Sequence, residues 1–266
     1  MNRFSSIGLK FFFLLTVLSA SRPQVSFAET NWLELKGEHF IVYYLSNDNF
    51  AKDVLRYAEK YYSSIGDDLG YTRFTNFWQW ENRVKVFIYD TQEAFLKNTG
   101  RNNWSHGFAD YDKKEIYSYV WNEGFVEALL PHEITHLIFR DYVGFKGEIP
   151  LWLDEGVAQW EEPEKRAIVK DVMKSYLKND QMYPLKHLST LDVRNVSLES
   201  AVQLFYVQAM SVIDFLVKRY GSDNFVAFCR ELRDGKSLEE ALTFSYPTKI
   251  RTLSELEEQW KSYILN

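Results

Sequence analysis

The sequence predicts an α+β fold, a small sheet followed by a mostly helical part. Three observations carry the expectation. Runs of β-branched and aromatic residues are confined to the stretch before Trp121. After Trp121 the apolar residues recur at helical spacing instead. Hydrophobic residues make up 46% and aromatic residues 17% of the 266, which supplies a sizeable core and is too apolar for a disordered chain. Strands gathered ahead of helices form the α+β pattern, as against the alternation of α/β folds.

Taken in order, His39-Phe40-Ile41-Val42-Tyr43-Tyr44 is a strand, because β-branched and aromatic side chains suit a pleated surface. Phe50, Val54, Tyr57, Ala58, Tyr61 and Ile65 recur at helical spacing, which predicts a helix from Asn49 to Ile65 with Gly66 as its stop. Val84–Tyr89 predicts a second strand, and Thr91 is placed to cap a short helix running to about Lys97. Gly107–Tyr111 and Glu115–Tyr119 flank Asp112-Lys113-Lys114 and predict a hairpin. A helix is expected from about Phe125 to Tyr142, between Gly124 and Gly144. Pro131 within it either kinks the helix or marks a later start. Pro150 suits the opening of the next helix, Leu151 to about Glu162. Further helices are expected at 164–177, 200–220, 223–233 and 253–264. The chain so divides into an N-terminal lobe of about 29–121 and a helical lobe of about 122–266.

Residues 1–28 have the features of an export signal. Arg3 and Lys10 supply positive charge, Phe11 to Leu18 is a short apolar core, and Ser26-Phe27-Ala28 predicts cleavage after Ala28. The mature protein is therefore expected outside the cytoplasm, periplasmic or extracellular. No run of about 20 apolar residues follows, so no transmembrane helix is expected in the mature chain. Removing the signal takes away Arg3, Lys10 and Arg22 but no acid, so a net charge of −6 becomes −9. An acidic chain is a poor partner for nucleic acid or an anionic membrane. The one cysteine, Cys229, cannot form an internal disulfide, and its apolar setting predicts a buried small hydrophobe. The oligomeric state is not encoded in any pattern of the sequence.

Chemistry concentrates in Leu130-Pro131-His132-Glu133-Ile134-Thr135-His136-Leu137, an H-E-x-x-H motif inside an apolar run. Residues four apart share a helix face, so His132 and His136 can aim two imidazole nitrogens at one point. Glu133 lies about 100° further round the helix, where it reaches a water on that metal rather than the metal itself. The motif alone also fits a helix with two unrelated histidines. A catalytic zinc needs a third protein ligand and an open position. Trp152-Leu153-Asp154-Glu155-Gly156-Val157-Ala158 offers a candidate, since Glu155 follows His136 by 19 positions. That gap leaves room to finish one helix, turn near Gly144 to Gly147 and return beside it. Taken without the histidines, Glu155 reads first as a solvated acid in a first helical turn; with them the metal role is favoured, because a carboxylate beside Trp and Leu is costly to bury unless paired or metal-bound. Asp154 is expected first as a surface acid favoured by the helix dipole, and second as an acceptor for a ligand histidine. Gln159 has similar standing. His106 is expected as a loop residue, and His39 and His187 have no partner motif.

H-E-x-x-H, eighteen intervening residues, then Glu inside W-L-x-E-G-x-A resembles the gluzincin metallopeptidases, and most closely their compact exported peptidase MA-like domains. The likeness extends over nearly all the mature chain, from the strand His39–Tyr44 to the helix ending Arg219-Tyr220-Gly221. It implies a thermolysin-like architecture with the site between the two lobes. It implies one Zn²⁺ held by His132, His136 and Glu155, with Glu133 as general base towards a zinc-bound water and a peptide or protein as substrate. In related aminopeptidases a tyrosine in Y-x-K-G stabilises the oxyanion. The comparable stretch here is Tyr206-Val207-Gln208-Ala209, which makes Tyr206 a candidate while departing at Gln208 and Ala209. Tyr206 equally suits a core face with Val202, Ala209 and Ile213. The aminopeptidase segment G-x-M-E-N corresponds to Gly107-Phe108-Ala109-Asp110-Tyr111, without its Met-Glu-Asn. An endopeptidase is therefore expected, with this segment as an edge strand that pairs with extended peptide. The alternatives are an aminopeptidase and a catalytically silent domain that binds an envelope partner.

Overall fold

The computed structural model describes residues 31–70, 78–103, 105–121, 124–145, 149–196 and 198–266. The expected signal segment, 1–28, lies outside them. Five strands, β1 (Leu33–Lys36), β2 (Phe40–Tyr44), β3 (Val84–Tyr89), β4 (Gly107–Asp110) and β5 (Glu115–Tyr119), form one sheet in the order β1-β2-β3-β5-β4. β2, β3 and β5 run parallel, and the two edges, β1 and β4, pair antiparallel. The expected hairpin is β4–β5; β1 was not foreseen, because Leu33–Lys36 is short and mostly exposed.

The register places Val42, Val86, Ile116 and Ala109 in one row across the sheet and Tyr43, Phe87, Tyr117 and Phe108 in the next. Side chains alternate between faces along a strand. Val42, Val86 and Ile116 therefore enter the main core, which the helices share. The second row forms a stacked aromatic ladder on the opposite face, with ring centroids 4.8, 4.9 and 5.1 Å apart. A short helix, α1 (Asp48–Asp68) aside, covers part of that ladder: α2 (Gln92–Thr99) contributes Phe95, and Thr91 caps it as expected.

α1 packs Ala51, Val54, Ala58 and Ile65 into the core. It runs through Gly66, which is buried within it, and ends at Leu69; the stop expected at Gly66 falls instead where Gly70 takes a φ of +70°. The motif helix α3 spans Leu130–Val143 with Pro131 in its first turn, and a π-helical turn at Phe125–Leu129 precedes it. Pro131 has no N–H to continue the ladder from that turn, so the later start is the outcome found. α4 (Leu151–Trp160) stops short of the expected Glu162, because Pro163 opens α5 (Pro163–Lys178).

The rest is helical: α6 (Leu185–Leu188), α7 (Glu199–Tyr220), α8 (Ser222–Arg233), α9 (Leu238–Ser245) and α10 (Leu253–Leu265). α9 went unpredicted although Ser237 and Glu240 form a capping box. By length and composition α7 is apolar enough to cross a membrane, although Gln203, Gln208, Asp214 and Lys218 interrupt its apolar run. In the fold 72% of that window is buried, so α7 is the core helix of the second part. α4 lies directly against it. A Cβ on Gly156 would stand 3.1 Å from the carbonyl of Ala209, so a larger residue there would press α4 away from α7.

Candidate metal centre

Two helices build the site. α3 turns His132 and His136 to one side, and α4 returns alongside with Glu155. All three side chains are buried, and their nearest ligand atoms lie within 4.8 Å of one another. The two Nε2 atoms are 3.2 Å apart, and His132 Nε2 is 3.6 Å from a Glu155 oxygen. Metal–ligand distances of about 2.0–2.1 Å in a tetrahedral site put neighbouring ligand atoms about 3.3–3.4 Å apart. The two separations from His132 Nε2 bracket that value.

The outer nitrogens of both imidazoles are already engaged. His136 Nδ1 is 2.8 Å from Asp154 Oδ1, and Arg140 donates to the other Asp154 oxygen at 2.6 Å. His132 Nδ1 is 3.0 Å from Glu162 Oε1, and Lys165 lies 2.8–2.9 Å from the two Glu162 oxygens. An Nδ1 that donates to a carboxylate fixes the tautomer and leaves the Nε2 lone pair facing inward, as a metal requires. Each histidine is thus backed by a carboxylate, and each carboxylate by a cation. Arg140 and Lys165 offset the charges of Asp154 and Glu162. The residues fit a zinc ion.

Burial opposes protonation of His136, yet Asp154, Glu155 and Glu133 together push it up to about 9. The same acidic surroundings favour any cation at its Nε2. Burial raises the Asp154 and Glu162 carboxyls, but their cation and histidine partners pull both below the ordinary range. Glu133 is fully buried, and neither of its oxygens has a hydrogen-bond partner among the described residues. Burial pushes its carboxyl up, against the pull of His132, His136 and an Ala109 amide that does not complete a hydrogen bond.

Two tyrosines lie within electrostatic reach of the cluster. Tyr206 on α7 is 3% exposed, and burial with the Glu155 charge holds its phenol well above the usual range. It is buried together with Val202, Ala209 and Ile213, so it is a core aromatic, and the Glu155 charge acts on its phenol. Tyr111, just past β4, packs edge-on against His136 at 5.8 Å with Arg140 4.2 Å over its ring. Burial, Asp154, Glu133 and Glu155 raise its phenol too.

The structure therefore brings His132, His136 and Glu155 together, with the Glu133 charge acting on both histidines; no contact joins Tyr206 to the three among the described interactions, and only the Glu155 charge reaches it. Asp154 is a correction. It is 6% exposed rather than a surface acid, because α4 is packed between α3 and α7, and it holds His136. Gln159 touches neither histidine and instead accepts from Lys165 at 2.8 Å. His106 bonds Tyr119 at 2.7 Å and stacks on Trp121, outside the cluster. Tyr111, Glu162 and Lys165 escaped sequence reasoning. Glu162 stands 30 positions from the histidine it holds, and no spacing rule connects residues so placed.

Residues 75–266 match the sequence model of a family described as the Peptidase MA superfamily. No curated protein matches the chain.

Proposed function

The chain belongs to the peptidase MA superfamily, and from that premise we propose that it is an exported zinc metallopeptidase that cuts peptide bonds internally. One observation carries this reading: two tautomer-locked imidazoles and a carboxylate converge beside a buried acid, Glu133, that the described residues leave without a hydrogen bond. Burying a carboxylate in that condition costs about 1–3 kcal/mol or more, and a domain that only binds a partner has no use for it.

His132, His136 and Glu155 would hold the zinc, which when bound supplies Lewis-acid polarisation of the scissile carbonyl and the attacking water. Glu133 takes the proton from that water and passes it to the leaving amine. Tyr206 keeps its proton beside Glu155 and donates a hydrogen bond to the oxyanion. Asp154 and Glu162 hold the two imidazoles in their working tautomer. β4 is an edge of the sheet and lies against α3, so an extended substrate can add to it as a further strand. The absence of a Met-Glu-Asn segment at Ala109–Tyr111 supports internal cleavage over capture of a free amino terminus. The signal features of residues 1–28 support export.

The test is zinc content together with cleavage of a blocked and unblocked peptide library, wild type against Glu133→Gln. Glu133→Gln keeps zinc and loses turnover. Undiminished cleavage by that variant sinks the assignment of Glu133, and a wild type without zinc or cleavage sinks the peptidase reading.

A further inference from the structure

The metal ligands stand on two helices, α3 and α4, yet a side chain from the edge of the sheet also reaches them. Tyr111 follows the last residue of β4, and its ring meets the His136 ring edge-on at 5.8 Å. The Arg140 guanidinium lies 4.2 Å from the centroid of the same ring. Arg140 donates to Asp154 at 2.6 Å, and Asp154 lies 2.8 Å from His136 Nδ1. The four side chains close a circuit, in which Tyr111 touches both ends of the chain Arg140–Asp154–His136. The Tyr111 hydroxyl makes no hydrogen bond among the described residues, so the aromatic ring carries these contacts.

Local structure fixes where Tyr111 stands. Asp110 accepts from the Lys113 N–H at 3.2 Å and pairs with the Lys113 ammonium at 3.1 Å, which closes the turn after β4. Lys114 fastens that turn to α3 by donating to Asp141 at 2.6 Å, and Trp78 donates to the same Asp141 oxygen at 2.9 Å. Arg140, the neighbour of Asp141, has a long and rotamer-rich side chain. Its Nε is buried without a hydrogen bond among the described residues. Among the described contacts, one carboxylate and one aromatic ring hold the guanidinium. Removing the ring frees Arg140 to turn away from Asp154, and Asp154 is what fixes the tautomer and angle of His136. His132 is backed by Glu162 and Lys165 instead, and Tyr111 touches neither among the described contacts.

We propose that Tyr111 is a positioning residue of the metal centre: its ring holds Arg140 and His136 from the sheet edge and so sets the grip of His136 on the metal. The proposal rests on the metal reading of His132, His136 and Glu155 and is independent of peptide cleavage. Tyr111→Phe keeps the ring, and Tyr111→Leu removes it. Proton NMR of the metal-free protein follows exchange of the His136 and His132 Nδ1 protons, with His132 as internal control. Tyr111→Leu speeds exchange at His136 about 3–30-fold and leaves His132 close to wild type. Zinc affinity, read by competition with a chelator, falls by a similar factor in Tyr111→Leu and stays within about twofold of wild type in Tyr111→Phe. Tyr111→Leu combined with Arg140→Gln weakens zinc by less than the product of the single effects, because both break one chain. Unchanged exchange at His136 overturns the proposal. Equal acceleration at both histidines also does, since it marks a general loosening of the fold. So does a Tyr111→Phe as weak as Tyr111→Leu, which moves the role to the hydroxyl, and so does a double variant at the full product, which takes Arg140 out of the route. If wild type binds no zinc, the metal reading fails, and exchange at His136 still decides whether Tyr111 holds that side chain.

Discussion

Replacing Glu162 with alanine probes the less expected of the two supports behind the metal ligands. Glu162 is 3% exposed, lies 3.0 Å from His132 Nδ1 and is held by Lys165 at 2.8–2.9 Å. Alanine leaves the His132 N–H without its acceptor and leaves Lys165 with Gln159 as partner at 2.8 Å. Removing one member of a buried charge pair costs about 3–5 kcal/mol. The Lys165 side chain retains 13% of its exposure and one polar partner, so the metal-free protein should lose the lower part of that range, about 3 kcal/mol. Loss of an outer carboxylate–histidine contact weakens metal binding about 10–100-fold, or about 1.4–2.8 kcal/mol. Glu162→Gln keeps an acceptor for the imidazole and drops only the charge, so its zinc affinity falls about tenfold or less. Adding Lys165→Met to Glu162→Ala removes the orphaned cation, and should restore part of the metal-free stability but none of the zinc affinity. Competition against a chelator of known affinity reads the binding, and melting of the metal-free protein reads the fold. Wild-type zinc affinity in Glu162→Ala refutes the reasoning, and so does a Glu162→Gln that binds zinc more weakly than Glu162→Ala.

Two further perturbations separate other parts of the argument. Tyr206→Phe should retain zinc and lose about 10²–10³ in kcat, the usual cost of one oxyanion donor; a kcat within threefold of wild type returns Tyr206 to a purely packing role. Glu161 is 5% exposed, and burial with the nearby Asp68 charge raises its carboxyl well above 4.5, against the pull of Arg166. An acid raised on folding binds its proton more tightly in the folded state, so its contribution to stability declines as pH climbs from about 4.5 through its folded value. Glu161→Gln removes that decline, and Arg166 keeps its contact with Asp68. The melting temperature of Glu161→Gln relative to wild type should therefore be more favourable at pH 8 than at pH 4.5, and an equal or opposite difference contradicts the assigned strain.

The parts of this protein legible in its sequence are those in which one element imposes the geometry. A helix brings residues four apart to one face whatever surrounds it, so His132 and His136 could be paired from spacing alone. Alternating β-branched and aromatic runs marked β2, β3 and the β4–β5 hairpin, and Pro131, Gly144 and Pro150 punctuated α3 and α4. Where two local signals competed, one reading lost. Gly66 looked like a stop, but the buried face of α1 continues through it. Asp154 looked like a dipole-favoured surface acid, but α4 is enclosed by α3 and α7.

Glu155 occupies the middle ground. Its distance from His136 was visible, while its role depended on α4 lying beside α3. Beyond that point the sequence is silent, and packing decides. Glu162 behind His132 and Tyr111 against His136 join residues of separate elements. Sequence alone determined the metal-ligand candidates and the order of strands and helices, because helical and strand periods are local properties of the backbone. Only the tertiary structure decided which carboxylate backs each histidine and which cation backs each carboxylate. Those depend on distances between elements, which are set by how their buried faces interlock.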